Sequence, residues 1–148
     1  MMIKWDPSLE TGNDRIDDQH KIILGKLGEF HNECAKGLKV RAVLELFNFI
    51  ENYIKSHFVL EEAYMFSHKY PELEIHHQAH EDLKAAYRSI NARLEGGETD
   101  AVKALKEDIF LGDWWLEHIN NADKIMVAWI AKQIRSQHTR TRPLDKKK

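Results

Sequence analysis

Val43-Leu44-Glu45-Leu46-Phe47-Asn48-Phe49-Ile50-Glu51-Asn52-Tyr53-Ile54-Lys55-Ser56-His57-Phe58-Val59-Leu60-Glu61 reads as one long amphipathic helix. Val43, Leu46, Phe47, Ile50, Ile54 and Phe58 recur at intervals of three and four, the spacing of a single helical face. His57 and Glu61 fall on the same inward stripe, four residues apart and so stacked one above the other. A carboxylate facing a core is too costly to stay unpaired. Glu61 therefore demands cations at its own depth.

Three further segments carry the same periodicity. The first runs from about Asp17 to Lys36, with Ile16, His20, Ile23, Leu27, Phe30 and Cys34 near one stripe and Gly37 as its stop signal. The third is expected to begin with Pro71 one or two residues inside its first turn. It continues through His76, His80, Leu83, Tyr87, Ile90 and Leu94 to a break at Gly96-Gly97. Thr99 reads as the N-cap of a fourth, through Val102, Leu105, Ile109, Leu116, His118 and Ile119. A shorter stretch from Lys124 to about Arg135 either continues the fourth helix or folds back across the bundle end. Residues 1–136 are expected to form one domain, and residues 137–148 a loose basic tail.

Short connections between long helices favour an all-α, up-down-up-down antiparallel four-helix bundle. In that topology the starts of helices one and three share one end of the molecule with the ends of helices two and four. His20, His57, Glu61, His76, His80, His118 and Asp123 all lie at that end. Histidines that merely filled core stripes would have no reason to agree in depth. Imidazole suits iron, zinc and copper, and a carboxylate can offer one oxygen to each of two metals. His76 and His80 repeat the four-residue spacing of His57 and Glu61 and aim at one point.

The separation of His118 from Asp123 is less tidy, because five residues turn an ideal helix through about 500° and leave the side chains roughly 140° apart. Either the two flank the inward seam, or a local π-bulge brings them together. His31, His68, His77 and His138 fall outside the set, and His77 is expected to point away from the site. Glu62 is expected to be a solvated or helix-pairing charge, and Cys34 a small core residue.

Composition narrows the classes. The chain has 148 residues, 43% hydrophobic and 31% charged, with a formal net charge of −2, so nothing global points to nucleic acid or an anionic membrane. No apolar run reaches the length of a membrane span, and the N-terminal residues lack the apolar stretch of a signal peptide. One cysteine excludes an internal disulfide. A cytoplasmic monomer is expected.

These residues resemble the hemerythrin family, and within it the single-domain bacterial hemerythrins, over roughly Trp5 to Lys124. The resemblance rests on Trp5, Gly12, Ile16-Asp17-Asp18-Gln19-His20-Lys21, His57-Phe58-Val59-Leu60-Glu61-Glu62, Tyr70-Pro71, His76, His80, Trp114, His118-Ile119 and Asp123-Lys124. It implies two non-haem iron ions with an oxo or hydroxo bridge, binding O2 reversibly. One iron would be held by His76, His80 and His118 and the other by His20 and His57, with Glu61 and Asp123 bridging. The second iron, one histidine short, would keep an open position for O2. Phe58, Trp115 and Ile119 would surround it. Trp115 stands where the family usually carries leucine, and Asn13 where an aliphatic residue is common.

The function this implies is oxygen storage, transport or delivery, with no catalytic turnover and an unidentified protein as recipient. Five imidazoles and two carboxylates make a less anionic site than carboxylate-rich di-iron bundles offer, which favours the ferrous state. Two other readings compete: a module sensing O2 or redox state, and a di-iron peroxidase or oxidase.

Overall fold

In the computed structural model, which describes residues 3–37, 40–97 and 110–141, α1 (Asp14–Ala35) begins one turn earlier than periodicity suggests. Asn13 sits in extended backbone, and its side-chain oxygen accepts from the Ile16 N–H at 3.1 Å. That satisfies one of the orphan donors of the first turn, the chemistry of an N-cap. Asp17, a buried residue of that turn, is tied backward: its carboxylate accepts from the Thr11 N–H at 2.9 Å and the Thr11 hydroxyl at 2.7 Å. The helix ends where expected, at Gly37, whose φ of +78° is a left-handed conformation that a side chain would strain.

α2 (Val40–Ser67) carries the long apolar stripe, and α3 (Leu73–Glu95) returns alongside it. Contrary to expectation, Pro71 does not lie inside the first turn of α3. Lys69 turns left-handed at φ +54°, and the Tyr70 N–H donates to the Met65 carbonyl at 2.9 Å. Tyr70 is thereby buried in the corner, edge-on to Trp129 at 5.5 Å. Pro71 and Glu72 are consumed in the reversal, and the helix starts at Leu73 with Glu72 as its N-cap residue.

The last rod consists of α4 (Phe110–His118), a π turn (Ile119–Asp123) and α5 (Lys124–Thr141). Both junctions keep helical backbone, at φ −62° and ψ −45° for His118 and φ −60° and ψ −43° for Lys124. Of the two courses open to the chain after Asp123, it takes continuation. Helix persists past Arg135 to Thr141, so Gln137–Thr141 is helical where a loose tail was expected. Thr99, Val102, Leu105, Ile109 and residues 142–148 lie outside the described residues.

The helices enclose two apolar layers. The larger, with Leu24, Phe47, Ile54, Tyr87 and Trp115 among its fully buried members, fills the long part of the bundle. The smaller gathers Ile16, Met65, Tyr70, Met126, Val127 and Ile130 where α5 passes the α2–α3 corner. Each such side chain contributes about 1.5–3 kcal/mol when buried. The N-terminal arm closes one seam. A Cβ on Gly28 would stand 2.7 Å from the Ile3 carbonyl oxygen, and one on Gly112 2.5 Å from the Ile3 side chain, so both glycines permit its close approach. Among the described residues no helix is long and apolar enough to cross a membrane.

Candidate metal centre

Between the two apolar layers lies a polar knot. His20 on α1, His57 and Glu61 on α2, His76 and His80 on α3, His118 at the end of α4 and Asp123 at the end of the π turn all converge there. The π turn accounts for the odd spacing. Its wider ring, closed by the Lys124 N–H to the Ile119 carbonyl, brings Asp123 back beneath His118, with Asp123 Oδ1 3.1 Å from His118 Nε2. All seven residues are buried, five of them at 0 or 1% exposure.

Their donor atoms form two overlapping groups. One contains Glu61, His76, His80, His118 and Asp123, the other His20, His57, Glu61 and Asp123. Both carboxylates belong to both. Asp123 Oδ1 faces His76 Nε2 at 3.0 Å as well as His118, while Oδ2 faces His20 Nε2 at 3.0 Å. Glu61 Oε1 is 2.8 Å from His57 Nε2, and Oε2 is 4.0 Å from His76 Nε2.

These short approaches are not hydrogen bonds. His20 Nε2, His57 Nε2, His76 Nε2 and all four carboxylate oxygens are buried with no partner in hydrogen-bonding geometry. His80 Nε2 and His118 Nε2 face each other at 3.2 Å. Two nitrogens bound at right angles to one metal, about 2.1 Å from it, would be about 3.0 Å apart. Orphaned lone pairs converging from both sides are what a pair of cations would satisfy, and a buried network left half-satisfied would be strongly destabilising.

The electrostatics agree. Burial, reinforced by the neighbouring His20, holds the His57 pKa down at about 3. Burial, with His76 and His118 beside it, holds His80 at about 2. Both rings are neutral at pH 7, the form that binds a metal. Burial and the facing Asp123 raise Glu61 well above the carboxylate range. Burial would raise Asp123 too, but the adjacent His118, with His20 and His76, outweighs it and leaves Asp123 well below that range.

Two supporting residues were not identified from sequence. Gln19 places its side-chain oxygen 2.7 Å from His57 Nδ1. Glu62 is not simply solvated: it lies between α2 and α3, 3.4 Å from His80 Nδ1 through one oxygen and hydrogen-bonded to His77 through the other. His77 does point out of the cluster, as expected, with its side chain 49% exposed. A carboxylate or amide on the far nitrogen of a histidine fixes its ring and tautomer. Adjacency to His20 and Glu61 was the available signal.

Phe58, Trp115 and Ile119 are all buried against this knot. Phe58 stacks on His80 at 3.8 Å between ring centroids, and Trp115 lies 6.0 Å from His57 and 6.3 Å from His20. Burial raises the Tyr87 pKa, with the neighbouring Trp115 indole opposing it in part. Neither group has a partner of good hydrogen-bonding geometry.

An antiparallel four-helix bundle holding histidines and two shared carboxylates at one end defines a class of cation-binding helical domains. The sequence profile of the hemerythrin HHE cation binding domain matches residues 11–130, and the chain belongs to the hemerythrin family. It is 31% identical to the bacteriohemerythrin of Pseudomonas aeruginosa (strain LESB58) over 121 residues, covering 80% of this chain and 75% of that one. Over 120 residues it is 30% identical to a hemerythrin of Sipunculus nudus, covering 80% and 86%. A crystal structure of a mutant with phenylalanine in place of a leucine shares the fold, with a TM-score of 0.75 at 23% identity over 86% of this chain and 95% of that one.

Proposed function

We propose that this protein binds O2 reversibly at a centre of two non-haem irons, and so stores, transports or delivers oxygen in the cytoplasm. The observation that carries this reading is the sharing of Glu61 and Asp123 by two donor groups of unequal histidine number. His76, His80 and His118 would hold one iron, His20 and His57 the other, and the carboxylates would span both. Two ferrous ions held there would supply the electrons on which reversible O2 binding draws. Gln19 and Glu62 orient His57 and His80. Phe58, Trp115 and Ile119, all buried, keep water from the cluster. Excluding water and protons there favours release of O2 over irreversible oxidation.

Anaerobic reduction of the iron-loaded protein followed by air exposure in a spectrometer tests the reading. A charge-transfer band that appears in air and vanishes on deoxygenation, over repeated cycles, is the expected result. Permanent oxidation at first exposure, with steady consumption of peroxide or O2, would replace it with the peroxidase or oxidase reading. Capture of a protein partner by only one of the oxygenated and ferric forms would favour the sensor.

A further inference from the structure

Of the seven clustered residues only His76, at 5%, and His118, at 7%, keep exposure beyond 1%. Both open toward the same face, where α3 passes the π turn. Two adjoining hollows lie there, one of about 300 Å3 reaching His118 and one of about 130 Å3 reaching His76. They share Ala79, Asn121 and Ala122 as walls. Ala79 and Ala122 contribute only methyl groups to this seam, so the helix faces leave a gap that larger side chains would fill. The rim carries two exposed carboxylates, Glu117 at one hollow and Glu72 at the other, and among the described residues no lysine or arginine lines either hollow. Asn121 and Ala122 belong to the π turn, a geometry held by its surroundings more than by its own preference. On the other sides the knot is shut off by the apolar layers and by Phe58 and Trp115.

We propose that this groove is the port through which ferrous ions reach and leave the cluster. The proposal rests on the di-iron reading. Glu72 and Glu117 raise the local concentration of a divalent cation at the rim. His76 and His118 are the first donors it meets, and both belong to the group with three histidines. That group therefore fills first, and an ion bound for His20 and His57 passes between Glu61 and Asp123. Small outward movement of the π turn widens the passage without unwinding a flanking helix.

The test uses the full chain stripped of metal under reducing, anaerobic conditions and then given ferrous ion, with iron per chain measured at the end. Release is followed separately from the loaded protein into a coloured ferrous chelator. Ala79→Leu fills the groove and is expected to slow uptake and release by about tenfold, an added barrier of about 1.4 kcal/mol. Its final iron content and melting temperature are expected to match the parent. Glu117→Lys is expected to slow uptake alone, by about tenfold at low ionic strength, with the difference fading in high salt. Ala63→Leu, on the exposed outer face of α2, is expected to behave as the parent does. The port is overturned if Ala79→Leu fills and empties at parental rates, or if Ala63→Leu slows both equally. Should Ala79→Leu fail to fold, parental uptake by Glu117→Lys at low salt overturns it. A parent chain that never reaches two irons refutes the di-iron reading instead, whatever the rates.

Discussion

The side-chain oxygen of Gln19 lies 2.7 Å from Nδ1 of His57, bridging α1 to α2 just outside the cluster. An amide oxygen can only accept, so the proton of His57 resides on Nδ1 and the Nε2 lone pair is left facing Glu61 at 2.8 Å. Gln19→Leu removes the acceptor while keeping an apolar volume between the helices. It is expected to weaken metal binding about 10- to 100-fold, the usual cost of losing such an outer partner. Iron retention during titration with a competing chelator measures this. Retention equal to the parent would mean that packing alone orients His57.

His76→Ala probes the cluster from the other side. His76 Nε2 approaches Asp123 at 3.0 Å and Glu61 at 4.0 Å, so it is the histidine of the larger group that contacts both shared carboxylates. Metal-binding energy is also folding energy for the helices a site joins. The variant is expected to lose most of its iron and to melt at a lower temperature than the parent, with metal and without. Elemental analysis and calorimetry would show it, and two irons with parental stability would remove His76 from the ligand set.

Acid sensitivity of the metal-free chain follows from the histidines. His57 titrates at about 3 and His80 at about 2 when folded, against 6.5 when unfolded, so below 6.5 the unfolded chain binds two extra protons. Stability therefore falls as pH drops through that range. Glu61 opposes this above its unfolded value of 4.5, because its raised folded pKa lets the folded chain keep one proton more. With two histidines set against one carboxylate, the balance favours unfolding as pH falls from 6.5 toward 4.5. Melting temperatures of the metal-free chain are expected to fall over that range, and a flat profile there would place these rings in water.

How much of this was legible depended on whether a residue's partner lay on its own helix. His57 with Glu61, and His76 with His80, could be paired from spacing alone, because four residues return a helix to the same face. Their shared depth with His20 followed from antiparallel topology, without coordinates. Asp123 was half legible: its spacing from His118 called for a π turn or a split seam, and the turn is what forms. Glu62 and Gln19 were not legible, since each acts across a helix interface whose rotation no single-helix pattern fixes. The Tyr70 corner displaced the start of α3 because burying that ring consumed Pro71 and Glu72. α5 runs past Arg135 to Thr141, and its residues 136–139 are exposed and so carry no apolar period from which the extension could be read.

Trp115 gives the most discriminating test of the proposed O2 pocket. Its ring is fully buried, within 6.4 Å, centroid to centroid, of His20, His57 and His118, and it stacks at 5.6 Å on Phe58. It therefore faces the cluster and does not rotate outward. Its N–H makes no hydrogen bond of good geometry, either to the cluster or to the Tyr87 hydroxyl. The indole thus contributes bulk beside the cluster. Trp115→Leu is expected to cost about 1–3 kcal/mol through the cavity it leaves. With iron content intact, it is expected to speed both O2 release and conversion to the ferric form, since the space admits solvent. Trp115→Phe keeps most of the bulk and removes the N–H, so its O2 release rate is expected to stay close to the parent. Stopped-flow release and ferric-decay rates separate the two roles. Equal rates in parent and Trp115→Leu would make the ring a packing element only, and slow release restored by the N–H alone would mean the indole donates to the bound ligand after all.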